Sequence, residues 1–285
     1  MKIVIAGGTG FLGRPLAAAL AADRHDVVVL TRDQRSWRAH VDGAGAVVNL
    51  AGEPIAGSRW SAEHKRTILD SRVKATRTLA DAIRTAASPP AVFVSGSAVG
   101  YYGPLGDEVA TEDTPAGSDF LARVCVQWEA EAQRAASPST RVACIRTGLV
   151  LEKDGGALPQ MLPPFRFGAG GKIGSGRQYW PWIHREDWIN LVRWTIQTPA
   201  AAGPINATAP NPVTNADFAH ALGRALHRPA FVPAPAFALR LMLGEMADAL
   251  LLSGQRAVPA KAAHLWFHFR YEDVDAALQA IVGRG

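Results

Sequence analysis

Short apolar blocks alternate with longer amphipathic stretches through the first half of this chain. The blocks occupy residues 3–6, 27–30, 46–50, 91–95 and 141–146. Each has the length of a strand buried on both faces. Between them, residues 12–22, 61–87 and 119–136 carry helical periodicity; Ile68, Val73, Leu79 and Ile83 mark the second of these. Strands alternating with helices predict a parallel, doubly wound α/β sheet. Beyond Leu151 the texture changes, and prolines, glycines and aromatics crowd residues 155–184. Helical patterns return at 186–197, 215–226, 236–252 and 272–281. The expected division is a nucleotide-binding lobe over 1–151, completed by about 184–208, and a smaller C-terminal α/β substrate lobe from 152–183 and 209–285.

The first block runs straight into Gly7-Gly8-Thr9-Gly10-Phe11-Leu12-Gly13, and a helix follows. Strand, glycine turn and helix in that order form the dinucleotide cradle of a Rossmann-type sheet. Gly7 permits the tight turn. Gly10 lets a pyrophosphate approach the backbone, and Gly13 lets the helix pack against the strand. The helix N-terminus offers free N–H groups to the phosphates. Phe11 and Leu12 belong to the same cofactor-binding turn.

Composition narrows the function classes. The chain has 285 residues, 48% hydrophobic and 19% charged, with a net charge of +5. Of its 30 basic residues 24 are arginine, scattered without a basic run or an aromatic stripe, so no nucleic-acid partner is expected. Two cysteines exclude a disulfide framework and fit a reducing cytoplasm. Glycines interrupt the opening apolar run, so it is not expected to act as a signal peptide. No later stretch reaches about 18 apolar residues, so neither a membrane span nor a membrane partner is expected. His, Cys, Asp and Glu never cluster at metal-ligand spacing, and no metal is expected.

Further motifs are Asn49-Leu50-Ala51-Gly52-Glu53, Ser71-Arg72-Val73, Gly100-Tyr101-Tyr102-Gly103, Trp128-Glu129, Arg146-Thr147-Gly148, the glycine-rich loop 170–176 and Trp182-Ile183-His184. With the glycine turn, these make the whole chain resemble atypical extended short-chain dehydrogenase/reductases of the NAD-dependent epimerase/dehydratase type. The narrower resemblance is to the subgroup called "epimerase family protein", which carries its own C-terminal domain. The resemblance implies that Leu50, Ala51 and Gly52 run along the cofactor's adenosine side, and that Arg72 faces the cofactor. It implies that Val150, on the loop after Arg146, touches the nicotinamide end. Thr67 lies more than a turn before Arg72 and reads equally as ordinary helix surface.

The second strand ends in Thr31-Arg32. NAD enzymes of this fold place a carboxylate there for the ribose 2′-hydroxyl. Thr31 takes that place, and a guanidinium at Arg32 suits a 2′-phosphate, so the expected cofactor is NADP(H). Asp33 is placed to neutralise Arg32 instead. Only residues 34–45 separate this strand from the next, where the family usually fits another strand and helix, so the sheet is expected to lack that strand or hold it as a stub near Trp37.

Members of this superfamily move a proton with a Tyr-x-x-x-Lys pair on one helix face. The matching positions, counted back from Glu129, hold Leu121 and Cys125, and no Tyr-x-x-x-Lys occurs anywhere in the chain. Ser97 matches the family's catalytic serine, and Tyr101 is the candidate proton donor. Tyr102 reads as packing. His184 and Asp187 form a possible pair, with structural hydrogen bonding the alternative. Loop 170–176, with Arg166, Arg177, Gln178, Trp180 and Trp182, reads as a substrate-pocket wall or a lid. The expectation is an NADP(H)-dependent oxidoreductase or epimerase-like enzyme acting on a small molecule. The alternative is a non-catalytic NADPH-binding sensor.

Overall fold

All five apolar blocks enter one parallel sheet in the computed structural model, which describes residues 1–283. In chain order the first elements are β1 (Lys2–Ala6), α1 (Gly13–Ala22), β2 (Asp26–Val29), α2 (Trp37–Val41), β3 (Ala46–Asn49), α3 (Ala62–Arg84) and β4 (Val92–Ala98). Then come β5 (Val109–Ala110), α4 (Phe120–Gln133), β6 (Arg141–Thr147), β7 (Leu149–Leu151), α5 (Leu158–Arg166), β8 (Tyr179–Trp180), β9 (Trp182–His184), α6 (Arg185–Gln197) and β10 (Gly203–Ala207). The chain ends with β11 (Val213–Thr214), α7 (Asn215–Ala225), α8 (Ala236–Leu243), α9 (Glu245–Ala247), β12 (Arg256–Ala257), α10 (Ala260–His264) and α11 (Val274–Val282).

The sheet has six strands in the order β10-β6-β4-β3-β1-β2. Alternation along each strand divides its side chains between two layers. Ile3, Ile5, Val48 and Val94 face Leu16 and Leu20 of α1 and Trp188 and Leu191 of α6. Val4, Val47 and Phe93 face Trp37, Leu79 and Ile83, and Ala132 of α4. Burial of each large aliphatic residue here contributes about 1.5–3 kcal/mol. The chain order reverses at β1: β2 follows on one side and β3 on the other. A crevice opens outside the strand ends at such a point. A third core lies in the C-terminal part, around Leu158, Trp182, Phe218 and Leu278.

Polar caps set the helix limits. Ser61 accepts from the His64 N–H at the start of α3, and Asp119 accepts from the Ala122 N–H at the start of α4. Residues 34–45 hold a 3₁₀ turn and α2 and lack the strand, as expected from the short spacing; Trp37 is buried there and donates its indole N–H to the Thr31 carbonyl at 2.9 Å. Three other expectations change. Residues 236–252 do not form one helix: Gly244, with φ +63°, ends α8, and α9 and a π-helical turn follow. The stretch expected to be irregular holds α5, with Pro163 and Pro164 inside it. Val150 lies in β7, paired with Ile183, rather than in a loop. The C-terminal lobe expected over 209–285 ends in two residues outside the described ones.

Candidate functional site

The glycine turn closes against the end of β3. Gly7 has φ +77°, and a Cβ there would lie 2.6 Å from the Leu50 carbonyl carbon. A Cβ on Gly13 would collide with the Gly7 carbonyl, so α1 abuts the turn. Gly10 differs: its N–H donates to Gly7 at 3.1 Å, but a Cβ would meet only the Gly7 oxygen at 3.4 Å. Its outer side is an open cradle. No side chain caps α1 and its first turn has no acidic residue, so its N–H groups and dipole face that cradle uncompensated. Leu12 is half-buried on the core; Phe11 packs over Gly155 and Gly156, with the Arg185 guanidinium 5.4 Å from its ring centroid.

Beyond β2, Thr31 and Arg32 are exposed. Asp33 does not neutralise Arg32. Its carboxylate accepts two bonds from the Arg35 guanidinium at 2.8 and 3.1 Å, which hold its pKa below the usual carboxylate range. Among the described residues Arg32 has no carboxylate within ion-pair distance.

At the end of β3, Asn49 donates to the Thr76 hydroxyl at 2.8 Å and accepts from the Ala51 N–H at 3.1 Å. This fixes the small-residue turn Leu50-Ala51-Gly52. Arg72 reaches across it from α3, donating to the carbonyls of Glu53 at 2.9 Å and Ile68 at 3.0 Å. Its guanidinium lies 5.2 Å from the Trp128 ring centroid. Arg72 is only 8% exposed, and burial lowers its pKa. It too has no carboxylate at ion-pair distance among the described residues. Thr67 is not drawn into this group: it is exposed, and its hydroxyl donates to the Glu63 carbonyl at 3.1 Å.

A buried polar chain crosses the ends of β4, β6 and β10. Ser97 donates to Glu129 at 2.7 Å. Arg146 grips both oxygens of Glu129, at 2.8 and 2.9 Å, a bidentate geometry that only guanidinium provides. The same arginine donates to the Tyr102 hydroxyl at 3.0 Å, and that hydroxyl donates to Asn206 at 2.6 Å. Glu112 accepts from the Asn206 and Lys261 N–H groups, tying α10 to the network. Tyr102 is buried and its pKa is pushed up to about 12. Tyr101 is half-buried and stacks on Arg146. Glu129, Arg146 and Tyr102 each fall in one of the sequence motifs, whereas Glu112 and Asn206 fall in none and carry no local signal.

Leu121 and Cys125 do turn toward this edge. A Cβ on Gly100 would lie 3.3 Å from that of Leu121, and the Cys125 thiol contacts the Ala98 carbonyl at 3.6 Å. Burial pushes that thiol up to about 12. Neither side chain can exchange protons near neutral pH. Elsewhere, His184 and Asp187 do not pair. His184 caps α6, accepting from the Glu186 N–H at 3.1 Å; Asp187 accepts from the Arg270 and Tyr271 N–H groups. Trp180 and Trp182 are buried in the third core instead of forming a pocket wall. Loop 170–176 is fastened by backbone bonds, Val232 to Gly170 and Ala234 to Lys172. Val150 is buried in the core against β9.

Comparison with known proteins matches residues 3–207 to the NAD dependent epimerase/dehydratase family, and residues 234–281 to a domain of unknown function, DUF1731. The chain is 43% identical to the chloroplastic epimerase family protein SDR39U1 homolog of Arabidopsis thaliana, over 99% of this chain and 87% of that protein. It is 37% identical to epimerase family protein SDR39U1 of Homo sapiens, over 99% of this chain and all of that protein. A crystal structure of the human protein (isoform 2) with NADPH superposes with a TM-score of 0.95 at 35% identity, covering 100% of both chains.

Proposed function

The chain belongs to the NAD dependent epimerase/dehydratase family, and from that premise we propose that it is an NADP(H)-dependent oxidoreductase or epimerase-like enzyme acting on a small molecule. The observation that carries the cofactor is Arg32: exposed beside the glycine turn, with Asp33 held by Arg35. A guanidinium without a partner is the group a 2′-phosphate needs. The open side of Gly10 leaves room for the pyrophosphate, and the human relative was crystallised with NADPH.

In this reading Gly7, Gly10, Phe11, Leu12 and Gly13 hold the phosphates, and Thr31 and Arg32 the 2′-phosphate. Leu50, Ala51 and Gly52 flank the adenosine, Thr67 and Arg72 belong to the cofactor side, and Val150 lies at the nicotinamide end. Bound NADP(H) supplies or accepts a hydride. The chain's own work is orientation and proton transfer. Glu129 takes the Ser97 proton into a hydrogen bond, leaving the serine's lone pairs for a ligand donor. Tyr101 is the proton donor; its ring is held by Arg146, and its hydroxyl has no hydrogen-bond partner among the described residues. A reducing cytoplasm accords with two free, buried cysteines.

One observation favours a second reading, a non-catalytic NADPH-binding sensor: Leu121 and Cys125 stand where the proton-transfer pair would be. Calorimetric titration with NADPH and NADH, followed by an NADPH-oxidation screen over carbonyls, sugar nucleotides and quinones, separates the two. Binding of NADPH with turnover of any of these supports the enzyme. Tight binding with no turnover moves the assignment to the sensor, and no binding removes both.

A further inference from the structure

Five strongly exposed large apolar side chains of the C-terminal part lie on two neighbouring strips of chain, while Trp266, 83% exposed, lies outside them. Phe167 is 86% exposed, Phe231 77%, Phe237 74%, Leu241 78% and Met242 69%. The strips run side by side: Arg228 donates to the Arg166 carbonyl, Val232 to Gly170 and Ala234 to Lys172. Helix α8 continues the second strip and buries none of its residues. Phe237 and Leu241, four positions apart, share one of its faces. An isolated exposed leucine needs no explanation, but a run of them along one edge marks a contact surface.

The two strips carry cationic side chains and no acidic ones of their own. Residues 166–177 and 227–243 contain Arg166, Lys172, Arg177, Arg228 and Arg240 and no acidic residue. Arg240 is paired with Asp248. Arg166, Lys172, Arg177 and Arg228 are exposed, and among the described residues none has a carboxylate at ion-pair distance. An open groove of about 610 Å³ adjoins Phe231, lined by His220, Arg224, His227 and Arg228. Arg224 is held there by Asp275, which leaves Arg228 as the groove's unneutralised guanidinium for an anionic headgroup.

Against the expectation of no membrane partner, which rested on the lack of an apolar span, we infer that this edge is a peripheral contact surface for an anionic lipid bilayer, with the aromatic and aliphatic tips entering the interface and the arginines and lysine meeting headgroup phosphates. No helix among the described residues is long and apolar enough to cross a membrane, so the contact is interfacial. A second copy of the chain is the weaker occupant. A two-fold interface sets the same patch against itself, and here that would bring unneutralised cations together. Lipid suits the edge better than an acidic protein because the apolar tips project outward rather than lining a cup.

The test is co-sedimentation of the full chain with phosphatidylglycerol vesicles and, separately, phosphatidylcholine vesicles. Binding is expected to phosphatidylglycerol only, and to weaken as salt is raised. The variant Phe231→Ser/Phe237→Ser/Leu241→Ser should lose it with an unchanged thermal midpoint, because all three positions are exposed. Should that variant fail to fold, Arg166→Gln/Arg228→Gln serves instead, with vesicle affinity falling roughly tenfold or more. No binding to phosphatidylglycerol, or undiminished binding by folded variants, overturns the inference. So does binding to polyglutamate but to neither vesicle, which assigns the edge to an acidic protein. A dimer in light scattering that the serine variant splits would assign it to a second copy, with the same consequence.

Discussion

The guanidinium carbon of Arg146 lies 3.5 Å from the ring centroid of Tyr101. The same guanidinium holds Glu129, which holds Ser97. One side chain from β6 thus positions both groups proposed for catalysis. Tyr101→Phe keeps the stacked ring and removes only the hydroxyl. Turnover on any substrate found should fall roughly 10²–10⁴-fold, the usual share of one acid–base group. NADPH affinity should hardly change. Wild-type turnover by this variant would remove the phenol from the mechanism.

Arg146→Lys tests the grip itself. Lysine cannot fork onto both Glu129 oxygens, and its ammonium cannot stack as a plane on Tyr101. The arginine side chain is 3% exposed and that of Glu129 13%, so the change keeps a cation beside a buried carboxylate but loses the fork and the bond to Tyr102. Chemical denaturation should show a loss of about 1.5–3 kcal/mol, the scale of a charge-assisted hydrogen bond. A loss below about 1 kcal/mol, the scale of an exposed ion pair, would mean that solvent already reaches Glu129.

The glycines of the first turn should separate fold from binding. Gly13→Val drives a side chain into the Gly7 carbonyl, and the protein should not fold stably. Gly10→Val meets only one atom at 3.4 Å, so the chain should fold with a near-native melt. NADPH binding should nevertheless vanish in calorimetry, because the branched side chain fills the phosphate approach. Native affinity in folded Gly10→Val would move the dinucleotide elsewhere.

Arg32→Ala should weaken NADPH far more than NADH, by about 1.5–3 kcal/mol for one charge-assisted hydrogen bond. The comparison isolates the 2′-phosphate, the only difference between the two ligands. Equal weakening of both would show that Arg32 acts on the shared part of the cofactor. The release of Arg32 depends on Arg35, so Arg35→Ala should free Asp33 and lower NADPH affinity in turn.

Strands were legible because a sheet buried on both faces needs continuous apolar runs, as at Ile3-Val4-Ile5. Helix starts were legible at Ser61 and Asp119, whose side chains cap α3 and α4. Helix α5 was hidden by Pro163 and Pro164, which read as breakers although they fall within a short helix. The break at Gly244 was hidden by the apolar residues on both sides of it. The site's polar chain was illegible for another reason. Arg146 and Glu129 are 17 positions apart on different elements, and Glu112 lies 94 positions from Asn206. No local pattern announces such pairs; only the sheet order brings them together.

A lysine at position 125 would share its buried surroundings with Arg72. The Cys125 thiol is 3% exposed and close enough to Arg72 for its pKa to feel that cation. A lysine there would place a second cation in a site that already desolvates one. Cys125→Lys should therefore cost more than about 2 kcal/mol, the scale of an uncompensated buried charge. Arg72→Gln in the same chain should restore only the part of the loss due to like-charge repulsion, because the new ammonium stays buried. Thermal melts of the two single variants and the double variant measure this coupling directly. With Arg72 kept for the cofactor, Leu121→Tyr/Cys125→Lys rebuilds the Tyr-x-x-x-Lys spacing on a helix face already turned toward Gly100 and Ala98, and weak carbonyl reduction with NADPH is the expected gain. A Cys125→Lys protein that melts like the parent, or an Arg72→Gln/Cys125→Lys variant with no recovery, would show that Arg72 exerts no like-charge repulsion on position 125.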